Sequence, residues 1–215
     1  MTRLVLVRHG ETPANREFRY LGLRDDTLSE QGVWQAEQLA VALALLPVVA
    51  VYSSPLRRAM ETARPIAARH QLTVQVMDEL VESSFGAWEG MSRAEVLARS
   101  PQDKQRLLAW ERDITVATPG GESFAQVQQR VLSAVERLTL QYPSQTLVLV
   151  SHVGPIKVLL CAALGAPLSS MFQIFLDPAT ISVVDWHSPR PVVRLLNSHA
   201  HMGWGQVRWM QMEPS

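Results

Sequence analysis

Leu4-Val5-Leu6-Val7-Arg8-His9-Gly10-Glu11-Thr12 decides the fold of this chain. Four consecutive aliphatic residues read as a buried strand, and the run breaks off into an arginine, a histidine and a glycine where it leaves the sheet. In open α/β sheets the outer ends of parallel strands are where ligands bind. An imidazole beside a guanidinium there pairs a reactive nitrogen with an anion-binding group, and Gly10 allows close backbone approach. Taken alone, the stretch reads as a strand followed by a polar loop, so its meaning rests on what surrounds it.

Outward from this strand the chain alternates strands and helices. Ser29 and Glu30 open a helix carrying Trp34, Leu39, Leu43 and Leu46 at near-helical spacing, which Pro47 closes. Val48 to Tyr52 reads as a second buried strand. It runs into Ser53-Ser54-Pro55-Leu56-Arg57-Arg58-Ala59, where serine and proline favour a helix start. A helix from about Leu56 to His70 and a short third strand from Leu72 to Met77 follow. Gly86, Gly90, Pro101, Pro119, Gly120 and Gly121 then punctuate short helical pieces, so residues 82–122 read as an excursion over the strand ends. Ser123 to Tyr142 is an amphipathic helix with Val127, Val131, Val135 and Leu138 on one face. Thr146 to Val150 is a fourth strand, followed by Ser151-His152-Val153-Gly154 and a helix through Leu164. Ile181 to Trp186 and Pro191 to Leu196 are expected as two final strands joined by a turn at His187-Ser188-Pro189-Arg190. The pattern predicts one domain over residues 1–215, a three-layer α/β/α sandwich around a mostly parallel sheet.

Composition narrows the function. The chain has 215 residues, 47% of them apolar, enough for one substantial core. Twenty basic and twenty acidic residues leave no basic surplus, so nucleic acid is not an expected partner. The single cysteine, Cys161, excludes an intrachain disulfide and a cysteine-rich zinc site, and it reads as small core filler. No charged-then-apolar leader precedes Leu4 and no apolar run reaches about 18 residues. Export and membrane association are therefore not expected, and the expected location is the cytoplasm. His199 and His201 sit two apart without a nearby carboxylate or cysteine, so no metal is expected there.

Three strands end alike: Val7 into Arg8-His9, Tyr52 into a helix start bearing Arg57-Arg58, and Val150 into Ser151-His152. Parallel strands set such ends along one rim, which brings two histidines and an arginine together. Arginine forks match phosphoryl oxygens and stay charged at all working pH values. A neutral imidazole is nucleophilic near pH 7, which allows transfer through a phosphohistidine. Phosphoryl transfer asks mainly for positioning and charge stabilisation, plus a proton for the leaving alkoxide. Glu82 is the candidate acid, because it follows the third strand and a setting near Phe85 or Trp88 would raise its pKa.

These residues resemble the histidine phosphatase superfamily, also called the phosphoglycerate mutase-like family, over nearly the whole chain. Arg8-His9-Gly10-Glu11-Thr12-Pro13-Ala14-Asn15 resembles the signature whose histidine becomes phosphorylated. Leu28-Ser29-Glu30-Gln31-Gly32, Ser54-Pro55-Leu56-Arg57-Arg58-Ala59, Glu82-Ser83-Ser84-Phe85-Gly86-Ala87-Trp88-Glu89-Gly90, Pro119-Gly120-Gly121-Glu122-Ser123 and Ser151-His152-Val153-Gly154 are similar to the remaining blocks, in order. The resemblance implies catalytic roles for His9, Glu82, Arg8, Arg58 and His152. His9 would attack phosphorus, its other ring nitrogen donating to a backbone carbonyl. Arg8, Arg58 and His152 would hold the phosphoryl oxygens, with His152 cationic when phosphate is bound. Glu82 would protonate the leaving oxygen and then deprotonate water. Asn15, Gly22 and Val153 would join the substrate-binding set, and no metal or cofactor is implied.

Other residues take plainer readings. Arg57 is expected as a solvated or rim residue and Glu11 as the buried partner of an arginine. The tryptophans are expected to pack, with Trp110 or Trp88 on the leaving-group side. Within the resemblance the choice lies between hydrolase and mutase. Family mutases carry an Arg-Arg pair ahead of the Gly-Glu-Ser block and a tyrosine near the acid. Here one arginine, Arg112, lies between Glu111 and Asp113, and Phe85 takes the tyrosine position, although Arg93 offers a substitute cation. The expectation is a phosphomonoester hydrolase acting on a small phosphorylated metabolite, of broad specificity or acting on α-ribazole phosphate, as a monomer or homodimer. The alternatives are a cofactor-dependent phosphoglycerate mutase and a non-catalytic relative that binds phosphorylated ligands.

Overall fold

The computed structural model describes residues 1–187 and 190–207. In chain order its elements are β1 (Thr2–Arg8), α1 (Pro13–Arg16), α2 (Glu30–Leu43), β2 (Val48–Ser53), α3 (Arg57–Arg69), β3 (Val74–Val76), α4 (Arg93–Arg99), α5 (Pro101–Trp110), α6 (Phe124–Gln141), β4 (Thr146–Ser151), α7 (Val153–Leu164), β5 (Ile181–Trp186) and β6 (Val192–Ser198), with short 3₁₀ turns between some of them. The strands form one sheet in the order β3-β2-β4-β1-β5-β6. The first four in that order run parallel, β5 is antiparallel to β1, and β6 is antiparallel to β5.

The strands alternate with period two, and this alternation builds both cores. Leu4, Leu6, Ala50, Tyr52, Leu147 and Leu149 face one side, where α6 and α7 cover them with Val127, Val131, Leu138, Ile156 and Leu160. Val5, Val7, Val51, Val148 and Val150 face the other, against Leu39, Leu43, Ala59, Ala63 and Ile66 of α2 and α3. Both faces of the central strands are thus buried, which is why their sequences are continuous aliphatic runs. Cys161 lies fully buried in the first cluster. Asp185 on β5 is likewise fully buried. It accepts from Arg3 of β1 at 2.7 and 3.1 Å and from Arg194 of β6 at 2.7 Å, and these bonds, that from Arg3 foremost, hold its carboxyl below the usual carboxylate range. This ion triad ties the antiparallel edge to the parallel core.

Helix starts follow the side-chain chemistry of their caps. Ser29, Ser92, Ser100 and Ser123 each accept a backbone N–H from the first turn of the helix they precede, and Thr12 does the same for α1. α3 lacks such a cap and begins after Leu56. Among the described residues no helix is long and apolar enough to cross a membrane.

The structure departs from the sequence reading in several places. α2 ends at Leu43, so Leu46 lies beyond the helix and Pro47 does not close it. The third strand is confined to Val74–Val76. α1 and the 3₁₀ segment Leu168–Gln173 were not anticipated, being too short to show a period. Trp34 is 39% exposed, because five residues separate it from Leu39 and so set it about 140° away around the helix. Gln35 takes the buried place, accepting the Glu11 N–H at 2.8 Å. Ser188 and Pro189 of the expected β5–β6 turn lie outside the described residues.

The loop after β1 is pressed against the first turn of α2. A Cβ on Gly10 would lie 2.6 Å from the Gly32 carbonyl oxygen, and one on Gly32 would collide with the Glu11 carbonyl oxygen. Neither neighbour is a flexible side chain, so Gly32→Ala must displace backbone. We expect it to lower the stability to urea by about 1–3 kcal/mol, as for other overpacked sites. An unchanged midpoint would show that α2 retreats from the loop without cost.

Candidate active site

Three parallel strands deliver the polar residues to one rim. β1 and β4 are paired in register with Arg8 opposite Ser151, and β2 and β4 with Ser53 opposite Val150. His9, Ser54 and His152 therefore emerge side by side. The His9 N–H donates to the Ser151 carbonyl at 3.0 Å, and the Ser54 N–H to the Val150 carbonyl at 3.0 Å.

His9 is 2% exposed. Its Nδ1 lies 2.6 Å from the Gly10 carbonyl oxygen, which can only accept, so Nδ1 carries the ring proton and Nε2 carries the lone pair. Burial, followed by the charges of Arg58 and Arg8, lowers its pKa well below the ordinary histidine value of 6.5. The loop is braced by the Gly10 N–H donating to Thr62 Oγ1 at 3.0 Å, and that hydroxyl in turn donates to the Arg58 carbonyl at 2.7 Å. The His9 loop and the helix carrying Arg58 are thereby locked together.

His152 caps α7 directly after β4, with its ring centroid 5.0 Å from that of His9. Its Nε2 lies 2.8 Å from Ser54 Oγ. Ser54 Oγ also accepts the Leu56 N–H at 3.3 Å, and with a second lone pair and a proton of its own it can meet either neutral tautomer of His152. The His152 Nδ1 is buried without a hydrogen-bond partner among the described residues. Burial, then the charge of Arg58, lowers the His152 pKa well below 6.5. The ring is neutral here, so a cationic His152 requires an anion bound beside it.

The two arginines are fixed by backbone carbonyls. Arg8 donates through Nη1 to the Leu176 carbonyl at 2.6 Å. Arg58, fully buried, donates through Nη1 to Arg24 at 2.5 Å and through Nη2 to Gly22 at 2.8 Å, while its Nε has no hydrogen-bond partner among the described residues. Burial lowers the Arg58 pKa, opposed by the carboxylates of Glu82, Asp26, Asp25 and Glu89. Carbonyls satisfy guanidinium donors without cancelling their charge, so a positive potential persists at the rim.

Glu82 is 7% exposed, and its Oε1 accepts the N–H groups of Ser83 at 2.9 Å and Gly154 at 3.0 Å. A Cβ at residue 154 would sit 2.5 Å from that oxygen, so glycine is required for the carboxylate to dock on the first turn of α7. Arg130 of α6 grips the main chain leading to it, donating to the carbonyls of Glu79 at 2.6 Å, Val81 at 2.9 Å and Glu82 at 3.1 Å.

These groups border a cavity of about 310 Å³ whose walls include Arg8, His9, Asn15, Arg58, Glu82 and Val153. Asn15 Oδ1 also accepts the Thr12 N–H at 3.0 Å, so Asn15 closes the capping box of α1. Gly22 is not among the lining residues. Its place in the site is to offer its carbonyl to Arg58. Trp110 and Phe85 line the cavity, whereas Trp88 is fully buried elsewhere and donates Nε1 to Asp103 at 2.8 Å. Arg57 is exposed and paired with Glu61, and Glu11 is buried and paired with Arg16 at 2.6 Å. No group of three or more His, Cys, Asp or Glu among the described residues could hold a metal ion. His199 instead packs edge-on to Trp204.

Sequence reasoning missed Ser54, Arg130, Lys157 and the pair Met171 and Phe172. Ser54 and Arg130 act through contacts between residues 98 and about 50 positions apart, which leave no local trace. Lys157 left a signal that went unused, as the one charged residue in Val153-Gly154-Pro155-Ile156-Lys157-Val158-Leu159-Leu160-Cys161-Ala162-Ala163-Leu164.

The model of the histidine phosphatase superfamily (branch 1) matches residues 4–199. The chain is 40% identical over 203 residues to the Bifunctional protein Rv2228c of Mycobacterium tuberculosis, covering 94% of this chain but 55% of that one, so it spans about half the length of that relative. It is 39% identical over 203 residues to Phosphoserine phosphatase 1 of Hydrogenobacter thermophilus, covering 94% and 95% of the two. Among solved structures, mycobacterial glucosyl-3-phosphoglycerate phosphatase in complex with VO3 superposes with a TM-score of 0.82 at 32% identity, covering 91% of this chain and 99% of that one. The chain belongs to the histidine phosphatase superfamily, branch 1.

Proposed function

We propose that the protein is a cytoplasmic phosphomonoester hydrolase that acts on a small phosphorylated metabolite through a phosphohistidine on His9. The observation that carries this reading is the His9 tautomer. With Nδ1 bound to the Gly10 carbonyl, a neutral, buried Nε2 faces a site where Arg58 Nε and His152 Nδ1 are buried without a hydrogen-bond partner among the described residues. A phosphoryl group gives Arg58 Nε–H an acceptor, does the same for a protonated His152 Nδ1, and offers His9 Nε2 an electrophile. Phosphatase relatives of similar length support the reaction class.

In the first step the His9 Nε2–phosphorus bond forms as the bond from phosphorus to the ester oxygen breaks. Arg8, Arg58 and the Nδ1–H of His152 stabilise the equatorial oxygens. The leaving oxygen takes its proton from Glu82 Oε2, the oxygen not engaged by Ser83 and Gly154. In the second step a water oxygen bonds to phosphorus, its proton passes to Glu82, and the Nε2–phosphorus bond breaks to release phosphate. The arginines and His152 supply the charge for both steps, and we propose a metal-independent enzyme.

A mutase needs a further cation to retain the second phosphate. Arg93, the candidate for it, is held by Glu111 through bonds of 2.6 and 2.9 Å, and Phe85 occupies the neighbouring wall. This pairing favours the hydrolase.

Three measurements test the proposal. p-Nitrophenyl phosphate turnover should persist in EDTA and fall by about 10³-fold or more in His9→Ala, as expected for loss of a nucleophile. Activity that is abolished by EDTA or survives the substitution refutes the mechanism. Glu82→Gln should cost about 10²–10⁴-fold on alkyl phosphates and much less on p-nitrophenyl phosphate, whose leaving group hardly needs a proton. Equal losses on both would remove Glu82 from the acid role. In ¹⁵N-histidine spectra of the phosphate-free protein, His9 and His152 should remain neutral down through pH 6.5, because burial and the arginines disfavour the imidazolium. Removing the Arg58 charge (Arg58→Gln) should move both midpoints upward, and midpoints already at or above 6.5 in the wild type would contradict the electrostatics described.

A further inference from the structure

The cavity extends beyond the phosphoryl-site residues, and the rest of its lining combines aromatic side chains with Lys157, Arg19 and Glu111. Trp110, Phe124 and Phe172 meet there, with ring centroids 5.1 to 6.1 Å apart. Phe85 and Tyr20 continue the wall at 5.1 Å from one another. Lys157 joins this lining from α7. It follows Val153 and Gly154 by one helical turn and so shares their face, with a side chain that leans back toward the helix N-terminus.

The other cations of the cavity are accounted for. Arg19 is held by Glu17 and Glu95, Arg58 by the carbonyls of Arg24 and Gly22, and Arg8 by that of Leu176. Lys157 makes no hydrogen bond or ion pair among the described residues, although it is half-buried among apolar groups. Burial, with Arg8 adding to it and Glu82 opposing it, pushes its pKa down to about 8. The ammonium is still protonated at neutral pH, and it gains from any anion placed against it.

Resting on the phosphatase reading above, we infer that Lys157 is a specificity-determining residue that binds a carboxylate on the leaving alcohol, so that the substrate class is a small phosphorylated hydroxy acid or amino acid. The charge count fits one carboxylate: Arg19 is paired with Glu17 and Glu95 and Glu111 with Arg93, so the Lys157 ammonium is left to match one negative charge, whereas a second phosphate would bring about two. The size fits as well, since about 310 Å³ holds a phosphoryl group with a short carbon chain. The aromatic walls exclude water from the pair and strengthen it.

The test compares esters that differ only by the carboxylate: O-phosphoserine against phosphoethanolamine, and 3-phosphoglycerate against glycerol 3-phosphate. Wild-type kcat/KM should favour the carboxylate member of each pair by about 10- to 100-fold, as for other charge-assisted contacts. Lys157→Met should bring the ratio to within about threefold of unity, and Lys157→Arg should restore part of it. Equal rates for the wild type on both members, or a Lys157→Met loss that is the same on both, overturns the inference, the latter by placing Lys157 on the phosphoryl group. Thermal melts of both variants monitor folding, and the charge-retaining variant keeps the comparison valid if the methionine variant is unstable. Should no ester turn over, p-nitrophenyl phosphate included, the phosphatase reading fails by itself. The inference is then decided by calorimetric Kd values for the same pairs, where a carboxylate preference that depends on Lys157 upholds it and equal affinities refute it.

Discussion

The parallel pairing of β1 with β4 is the constraint on which the rest depends. Its register sets Arg8 opposite Ser151, so His9 and His152, each one residue further on, leave the sheet next to one another. Because side chains alternate along a strand, this register also assigns Val5 and Val148 to one core and Leu4 and Leu147 to the other. A slip of one residue would exchange the two cores and separate the histidines. The apolar energy that fixes the sheet therefore also fixes the site.

Electrostatics at the rim follows from how its charges are satisfied. Arg8 and Arg58 are buried against main-chain carbonyls, which meet their hydrogen-bonding needs and leave their charge uncancelled. That charge, added to burial, keeps both imidazoles neutral. One set of contacts thus keeps His9 Nε2 unprotonated and leaves a positive potential beside it. Glu82 is held by two backbone N–H groups, one of them from the first turn of α7, and its carboxylate is foremost among those that favour the Arg58 charge. The rest of the cavity adds aromatic walls and Lys157 to the paired charges of Arg19 and Glu111.

Much of this was legible in the sequence where the determinants are local. The aliphatic runs of β1, β2 and β4, the serine caps of α2 and α6, and the polar residues that end each central strand all signal their structure within a few positions. Trp34 misled because an apolar residue near the right spacing suggests a core face, whereas the tight approach of Gly32 to the β1 loop fixes the rotation of α2 and brings Gln35 inward. The segment Leu168–Gln173, which brings Met171 and Phe172 to the cavity, is too short to show a period.

By itself the sequence determined the α/β alternation and the ends of the central strands, and its motifs, through their resemblance to the family, pointed to His9, Arg8, Arg58, Glu82 and His152. These depend on residue type and short spacing, which a linear chain displays directly. Only the tertiary structure decided which imidazole nitrogen of His9 is free, that Ser54 meets His152, that Arg130 anchors the Glu82 segment, and that Lys157 joins the cavity without a hydrogen bond or ion pair among the described residues. Each of these depends on a distance or a desolvation shared between residues far apart in sequence, and such quantities exist only once the chain has packed.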